Sequence, residues 1–398
     1  MAKNIIFCAD GTWNTVNPDI DALSEDATNV FKIFTLLQGR NIPSTVKKDK
    51  DKDDDVVEIE KAETIDKADG TISVLQIAKY LNGVGNSKSK IKSLFGGGFG
   101  AGLVQRIVRG FTFISRNYEL GDKIYIIGFS RGAYTARALA GMIASQGLLT
   151  QKFNRRGNQD AYKLGTQAWY RYRKTVKVKD DNYLPDFTTA ILNRDVWNLV
   201  SDDLVDTDFI KVNIEAVAVW DTVGSMGIPR YNVADKVIID TFRFADLKLS
   251  PKVKQGLHAI ALDEQRLLFT PTLWAAAPNV KQMVFPGGHA DVGGGYKEKG
   301  LSDGALQWML QELEKLGVLF SDEPSQVNPN SGVPAHQEWS KLIRRDIGLR
   351  HFTGMLSIGR HASINERKAL DRVVHRRDEK NNKDFDVKRY SPSNLPDI

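Results

Sequence analysis

Ser130, Asp221 and His289 are the residues whose types and spacing could do chemistry in this 398-residue chain. A serine hydroxyl is a weak nucleophile at its own pKa. It needs an imidazole to take its proton and a carboxylate to orient that imidazole. Ser130 sits in Gly128-Phe129-Ser130-Arg131-Gly132, directly after the strand-like run Lys123 to Ile127 and before a helix rich in small residues, Ala133, Ala136, Ala138, Ala140 and Gly141. Glycines on either side of a serine relieve a tight strand-to-helix turn and hold the hydroxyl above the sheet; in other contexts the same pentapeptide is an ordinary turn. Asp221 follows the run Ile214 to Trp220, where its alternative role is that of a turn or helix-cap aspartate. His289 follows Val280 to Phe285 in the glycine-rich segment Phe285 to Gly295. Asp291, two residues beyond, competes with Asp221 as the orienting acid but is better placed to fix the loop. His258, His336, His351, His361 and His375 are expected to be structural or solvated, with His258 in a helix-like stretch over Pro251 to Arg266.

The oxyanion of an acyl-transfer reaction needs preorganised N–H donors, one from the residue after the serine and another from a neighbouring strand loop. Arg131 supplies the first. The second is expected from Gly11 or Thr12 in Asp10-Gly11-Thr12-Trp13-Asn14, with Asp10 in support; the competing reading is that Asp10 and Asn14 only tie a turn.

Elements of a particular kind must position these groups. The four short apolar runs Asn4 to Ala9, Lys123 to Ile127, Ile214 to Trp220 and Val280 to Phe285 read as buried strands, with helical stretches between them. That alternation predicts an α/β fold of the α/β-hydrolase type: one domain over 1–398, a mostly parallel central sheet with helices on both faces, and a partial cap. The order Ser, Asp, His along the chain is the one such folds use. Residues 44–70 read as a charged excursion or hairpin tip without a core. Residues 151–199 read either as a cap insertion or as a plain helical layer, residues 372–398 as a basic C-terminal segment, and Ser302 to Leu316 as an amphipathic helix capped by Ser302.

Composition narrows the function. With 41% hydrophobic residues the chain can bury a sizeable core, and no run reaches the 18 or so apolar residues needed to span a bilayer. No signal-type segment precedes Asp10. The default location is therefore the cytoplasm, although export by a route that needs no N-terminal signal is compatible with it. The single cysteine, Cys8, reads as a core thiol. The net charge of +6 is spread among acids, so nucleic acid is not expected as a partner, whereas peripheral contact with an anionic membrane is compatible with it. Asp49, Asp51, Asp53 and Glu60 imitate a calcium loop, but Asp54 stands where the sharp turn needs glycine. The glycines at 96–98 and 100 follow no strand, a P-loop Gly-Lys pair is absent, and no zinc spacing occurs. No metal or cofactor is expected.

CADGTWN at 8–14, GGGFGAGL at 96–103, GDKIYIIGFSRGAYTAR at 121–137, VAVWDTVGSMG at 217–227, HAIALDEQR at 258–266 and FPGGHADVGGGY at 285–296 resemble an α/β-hydrolase domain family that includes the class-one lipase effectors of bacterial type VI secretion. HASINER at 361–367 and YSPSNL at 390–395 extend the resemblance over nearly the whole chain. It implies a phospholipase or other ester hydrolase, a triad carried by Ser130, Asp221 and His289, an ester or phospholipid substrate and, for an effector, an immunity protein as partner. The chain is expected to end with the hydrolase domain, without the membrane-anchoring module of larger effectors. The alternative expectation is a non-catalytic hydrolase-fold protein that binds a lipid, a partner protein or an anionic surface.

Overall fold

The computed structural model describes residues 2–11, 26–42, 57–83, 99–150, 157–175, 204–223, 247–321, 327–341, 348–350, 352, 358–370, 373–376, 385–392 and 394. Its sheet is organised around β1 (Asn4–Ala9), whose six residues are all buried because helices cover both of its faces. β1 pairs in parallel with β4 (Ile72–Leu81) on one side and with β5 (Lys123–Phe129) on the other. Beyond β5 the parallel order continues through β8 (Ile214–Trp220), β9 (Val253–Ala261), β10 (Val280–Phe285) and β12 (Ile358–Arg360). Beyond β4 two antiparallel strands, β3 (Glu58–Asp66) and β2 (Arg40–Ile42), complete a nine-stranded sheet. The strand order reverses at β1, so the crevice beyond the carboxyl ends of β1 and β5 is the topological switch point where such sheets bind ligands.

Helices cover the two faces. On one lie α2 (Phe99–Asn117), α3 (Arg131–Gln146) and α4 (Asn158–Thr175). Leu103, Ile107, Phe111 and Ile114 recur along α2 at helical spacing and bury one stripe against the side chains of Ile5, Phe7, Ile124 and Ile126. Each such burial contributes about 1.5–3 kcal/mol relative to exposure. On the other face α1 (Asn29–Leu36), capped by the Thr28 hydroxyl, and α6 (Gly300–Lys315) cover Ile6, Cys8, Tyr125 and Ile127. Short elements complete the described chain: β6 (Leu148–Leu149) with β7 (Phe209–Ile210), α5 (His289–Gly293), α7 (Ala362–Lys368), and a small sheet of β11 (Ala335–His336), β13 (Val373–Arg376) and β14 (Phe385–Lys388). No helix among the described residues is long and apolar enough to cross a membrane.

Three local expectations are corrected. The stretch Pro251 to Arg266, read as helical, contains β9. This strand is buried between β8 and β10, and a strand covered on both faces loses the period-two pattern that would separate it from a helix. Part of the charged excursion is sheet: in β3, Glu58 and Glu60 pair with Lys79 of β4, and Lys61 Nζ donates to the Thr35 and Leu37 carbonyls at 2.8 and 3.0 Å. These three charges are taken up by the neighbouring strand and by the C-terminal end of α1. Glu60 is thereby a strand residue and not the end of a calcium loop, while the run 47–55 lies outside the described residues. α6 begins at Gly300, with Ser302 inside its first turn donating to the Lys299 carbonyl. In the region 151–199, the described part forms α4, which packs on α2 and α3 as an outer layer.

Candidate active site

The carboxyl ends of β1, β5, β8 and β10 lead into Asp10, Ser130, Asp221 and the segment carrying His289. The chain turns sharply from β5 into α3 at Ser130, whose φ of 57° and ψ of −120° lie where L-residues are rarely found. Such a backbone costs on the order of 1–3 kcal/mol and must be held by its surroundings. Here Ser130 N–H donates to the Trp220 carbonyl at 3.1 Å, and Tyr134 N–H donates back to the Ser130 carbonyl at 3.2 Å. Close approach sets the residue types around it. A Cβ on Gly132 would lie 2.1 Å from the Ala9 carbonyl oxygen, and one on Gly128 would lie 2.4 Å from the Gly132 carbonyl oxygen. Only glycine lets α3 start this close to β1.

Asp221 is the other non-glycine residue with positive φ (35°) among the described residues. Its N–H extends the ladder to the Ala259 carbonyl at 2.7 Å, and its carboxylate is fully buried. Oδ1 accepts the Ala261 N–H at 3.0 Å and Arg350 Nη1 at 2.6 Å; Oδ2 takes Arg350 Nη2 at 3.0 Å and faces His289 Nδ1 at 2.5 Å. Burial pushes this carboxyl upward, but the Arg350 guanidinium and the His289 hydrogen bond outweigh it and hold the group well below the usual carboxylate range.

His289 opens α5. Its Nε2 lies 2.8 Å from Ser130 Oγ, and its ring sits between Phe129, at 4.7 Å between centroids, and the edge-on Phe269 at 4.8 Å. With an ionised carboxylate at Nδ1, that nitrogen carries the proton and Nε2 accepts from the serine hydroxyl. Burial lowers the imidazole pKa below its ordinary value, with the Asp221 hydrogen bond opposing it, so the ring is neutral at neutral pH. Its backbone N–H donates to Glu264 Oε2 at 3.1 Å, and Glu264 is in turn held by Arg266 through two bonds of 2.9 and 2.8 Å. Asp291 points away from His289: its Oδ2 accepts the Gly288 and His336 N–H groups at 2.9 Å each, and its Oδ1 faces His336 Nδ1 at 2.7 Å. It ties the loop down.

Arg131 is the first residue of α3, with its N–H at the helix N-terminus beside Ser130. Gly11 packs against the elbow so closely that a Cβ there would lie 3.2 Å from Ser130 Cβ, but its N–H donates to Asp10 Oδ1 at 2.6 Å. Asp10 Oδ2 accepts the Thr28 and Tyr80 hydroxyls, both at 2.6 Å. Burial raises the Asp10 carboxyl to about 6 despite these donors. Thr12 lies outside the described residues.

Two participants, Glu264 and Arg350, were not picked out from sequence, and His258 was expected only as a structural or solvated ring. Glu264 and His258 both lie in HAIALDEQR, where neither had a visible partner. His258 is buried, its Nε2 accepts the Thr222 N–H at 3.1 Å, and burial followed by the nearby Arg137 lowers it to about 3, so it anchors the Asp221 turn as a neutral ring. Arg350 lies in a loop with no local signal at all. The small C-terminal elements also reach the site: Tyr390 donates to Asp263, whose Oδ2 holds the Gly287 N–H at 2.7 Å just before His289. Among the described residues no group of three His, Cys, Asp or Glu side chains is arranged to hold a metal.

Residues 3–312, more than half of the chain, match the family model described as "T6SS, Phospholipase effector Tle1-like, catalytic domain". The uncharacterized protein YEL023C of Saccharomyces cerevisiae is 29% identical over 287 residues, covering 68% of this chain and 33% of its own. A crystal structure of an uncharacterized protein from Pseudomonas aeruginosa is similar at 18% identity and a TM-score of 0.40, over 80% of this chain and 46% of that one. The structure of the Tle1 effector bound to the VgrG spike from the type VI secretion system is similar at 18% identity and a TM-score of 0.35, over 74% and 51%. The chain spans about a third of the length of the yeast relative and about half of each solved chain.

Proposed function

The chain belongs to the type VI secretion Tle1-like phospholipase effector catalytic-domain family, and from that premise we propose that it is a serine hydrolase of carboxylic esters, of the lipase or phospholipase type. The observation that carries the reading is the line of contacts from Ser130 Oγ through His289 to Asp221, at 2.8 and 2.5 Å, built on the two strained non-glycine residues of the described chain. In the first half-reaction Ser130 Oγ attacks the ester carbonyl carbon while His289 Nε2 takes its proton, and Asp221 stabilises the imidazolium through Nδ1–H. The tetrahedral oxyanion faces the Arg131 N–H. Asp10 Oδ1 already accepts the Gly11 N–H, so a second donor from this turn would be the Thr12 N–H. Collapse breaks the ester C–O bond, His289 protonates the leaving alcohol, and the acyl group stays on Ser130. In the second half-reaction His289 takes a proton from water as its oxygen attacks the acyl carbon; collapse then breaks the bond to Ser130 Oγ, His289 returns the proton to that oxygen, and the acid leaves.

The family brings a phospholipid as the substrate class, reached by peripheral contact with an anionic membrane surface. Export by the type VI route and an immunity-protein partner belong to the same proposal. The test is turnover of a p-nitrophenyl ester series and of defined phospholipids by wild type and Ser130→Ala. The reading expects ester cleavage that falls about ten-thousand-fold or more in the variant. Cleavage that survives the substitution overturns the triad, and the absence of cleavage by wild type across the panel favours a hydrolase-fold binding protein.

A further inference from the structure

Arg350 makes four hydrogen bonds at the site, yet takes no part in the proton transfers. The residue is 7% exposed. Nη1 donates to Asp221 Oδ1 and to the Ala261 carbonyl, both at 2.6 Å, while Nη2 donates to Asp221 Oδ2 at 3.0 Å and to the Phe269 carbonyl. A planar guanidinium can satisfy both carboxylate oxygens and two carbonyls at once, which a lysine ammonium cannot do. The two carbonyls tie the end of β9 and the turn that carries Phe269, whose ring packs edge-on to His289. One side chain thus fixes the carboxylate and a wall of the imidazole slot together. It comes from a part of the chain beyond residue 312, where the family match ends.

We propose that Arg350 is a positioning residue for hydrolysis: its forked contact locks the Asp221 carboxylate in its charged, His289-facing orientation, so that residues beyond the matched domain complete the site. The inference rests on the Ser130–His289–Asp221 reading. A fully buried carboxylate without a cation is driven towards its neutral form, and a neutral acid cannot stabilise the imidazolium that forms when Ser130 loses its proton. Removing the cation also relieves the electrostatic competition with imidazolium formation. Both changes move the acidic limb of activity in the same direction, to higher pH.

The experiment measures the rate at which a fluorophosphonate labels Ser130 in the full chain, across pH, for wild type, Arg350→Met, Arg350→Lys, Asp221→Asn and the Asp221→Asn/Arg350→Met double variant. Arg350→Met is expected to slow labelling about 100-fold at neutral pH, as for an active-site group displaced by about 1 Å, and to raise the acidic limb by about one pH unit or more. Arg350→Lys keeps the charge and loses the fork, so its rate falls about ten-fold with the limb unmoved. In the Asp221→Asn background the Met substitution loses only its hold on the Ala261 and Phe269 carbonyls, so it is expected to change the rate by less than about ten-fold, well short of its effect in wild type. Equal fold-losses in both backgrounds, or a wild-type limb in Arg350→Met, overturn the proposal. If Arg350→Met does not fold, Arg350→Lys with and without Asp221→Asn supplies the same additivity test. Wild type labelled while Arg350→Met is unaffected refutes Arg350 alone, whereas wild type that takes no label at Ser130 refutes the hydrolase reading beneath it.

Discussion

Replacing Gly132 by alanine tests the close approach on which the elbow depends. The new Cβ would stand 2.1 Å from the Ala9 carbonyl oxygen and 2.6 Å from both the Ala9 carbonyl carbon and the Asp10 carbonyl oxygen. The first contact is 0.9 Å inside the 3.0 Å that real Cβ atoms essentially never breach. All three atoms are backbone, so no side chain can swing away, and either the end of β1 or the start of α3 must move by about 1 Å. Overpacking of this kind costs about 3 kcal/mol, near the upper end of its usual range. With an unfolding entropy of about 2.1 cal/mol/K per residue, a chain of 398 residues loses roughly 4 °C in Tm for that cost. The same shift separates Ser130 from Gly11 and His289, for which a loss of about 100-fold in reactivity is the expected scale. Thermal melting and fluorophosphonate labelling read the two effects on one preparation. Gly304→Ala is the control: it lies inside α6 with nothing within 4 Å of its added Cβ, and should gain about 0.5–1 kcal/mol and keep full activity. A Gly132→Ala protein that melts and labels like wild type would refute the steric argument.

Two further predictions follow from the same contacts. Asp221→Asn should lower kcat by about ten-thousand-fold through loss of the acceptor at His289 Nδ1, whereas Asp291→Asn, whose oxygens hold Gly288 and His336, should cost less than about ten-fold in kcat and appear mainly as a lower Tm; the reverse ranking would exchange their roles. His289 must be neutral to accept the serine proton and burial holds its pKa below 6.5, so kcat/KM should rise with pH through an apparent pKa below 6.5 and stay level to pH 8; a limb centred above 7 contradicts that environment.

Much of the site could be read from the sequence because each candidate follows a strand that ends abruptly. Asn4–Ala9, Ile214–Trp220 and Val280–Phe285 begin and end where the apolar runs do, and the glycines of 128–132 announce the turn that Ser130 occupies. Local pattern fails where long-range pairing decides. β9 lost its alternation because both faces are covered, and β3 looked like solvent-facing charge because its acids meet Lys79 from the next strand. Arg350 was invisible for the same reason: it is separated from Asp221 by 129 residues and nothing beside it in the chain marks it. Of the two oxyanion donors expected, Gly11 or Thr12, the second lies outside the described residues and the Gly11 N–H sits on the carboxylate of its own neighbour, Asp10. A one-residue contact of that kind depends on a side-chain rotamer that Thr28 and Tyr80 select from elsewhere in the fold.

The central claim is that Ser130 is a nucleophile activated by His289 and Asp221. Its most direct test is to treat the full chain with a fluorophosphonate and map the adduct by peptide mass spectrometry, beside Ser130→Ala and His289→Ala. The account predicts one adduct per chain, on Ser130, absent from the first variant and slowed by orders of magnitude in the second. An unlabelled wild type, or a label on any other residue, would contradict it.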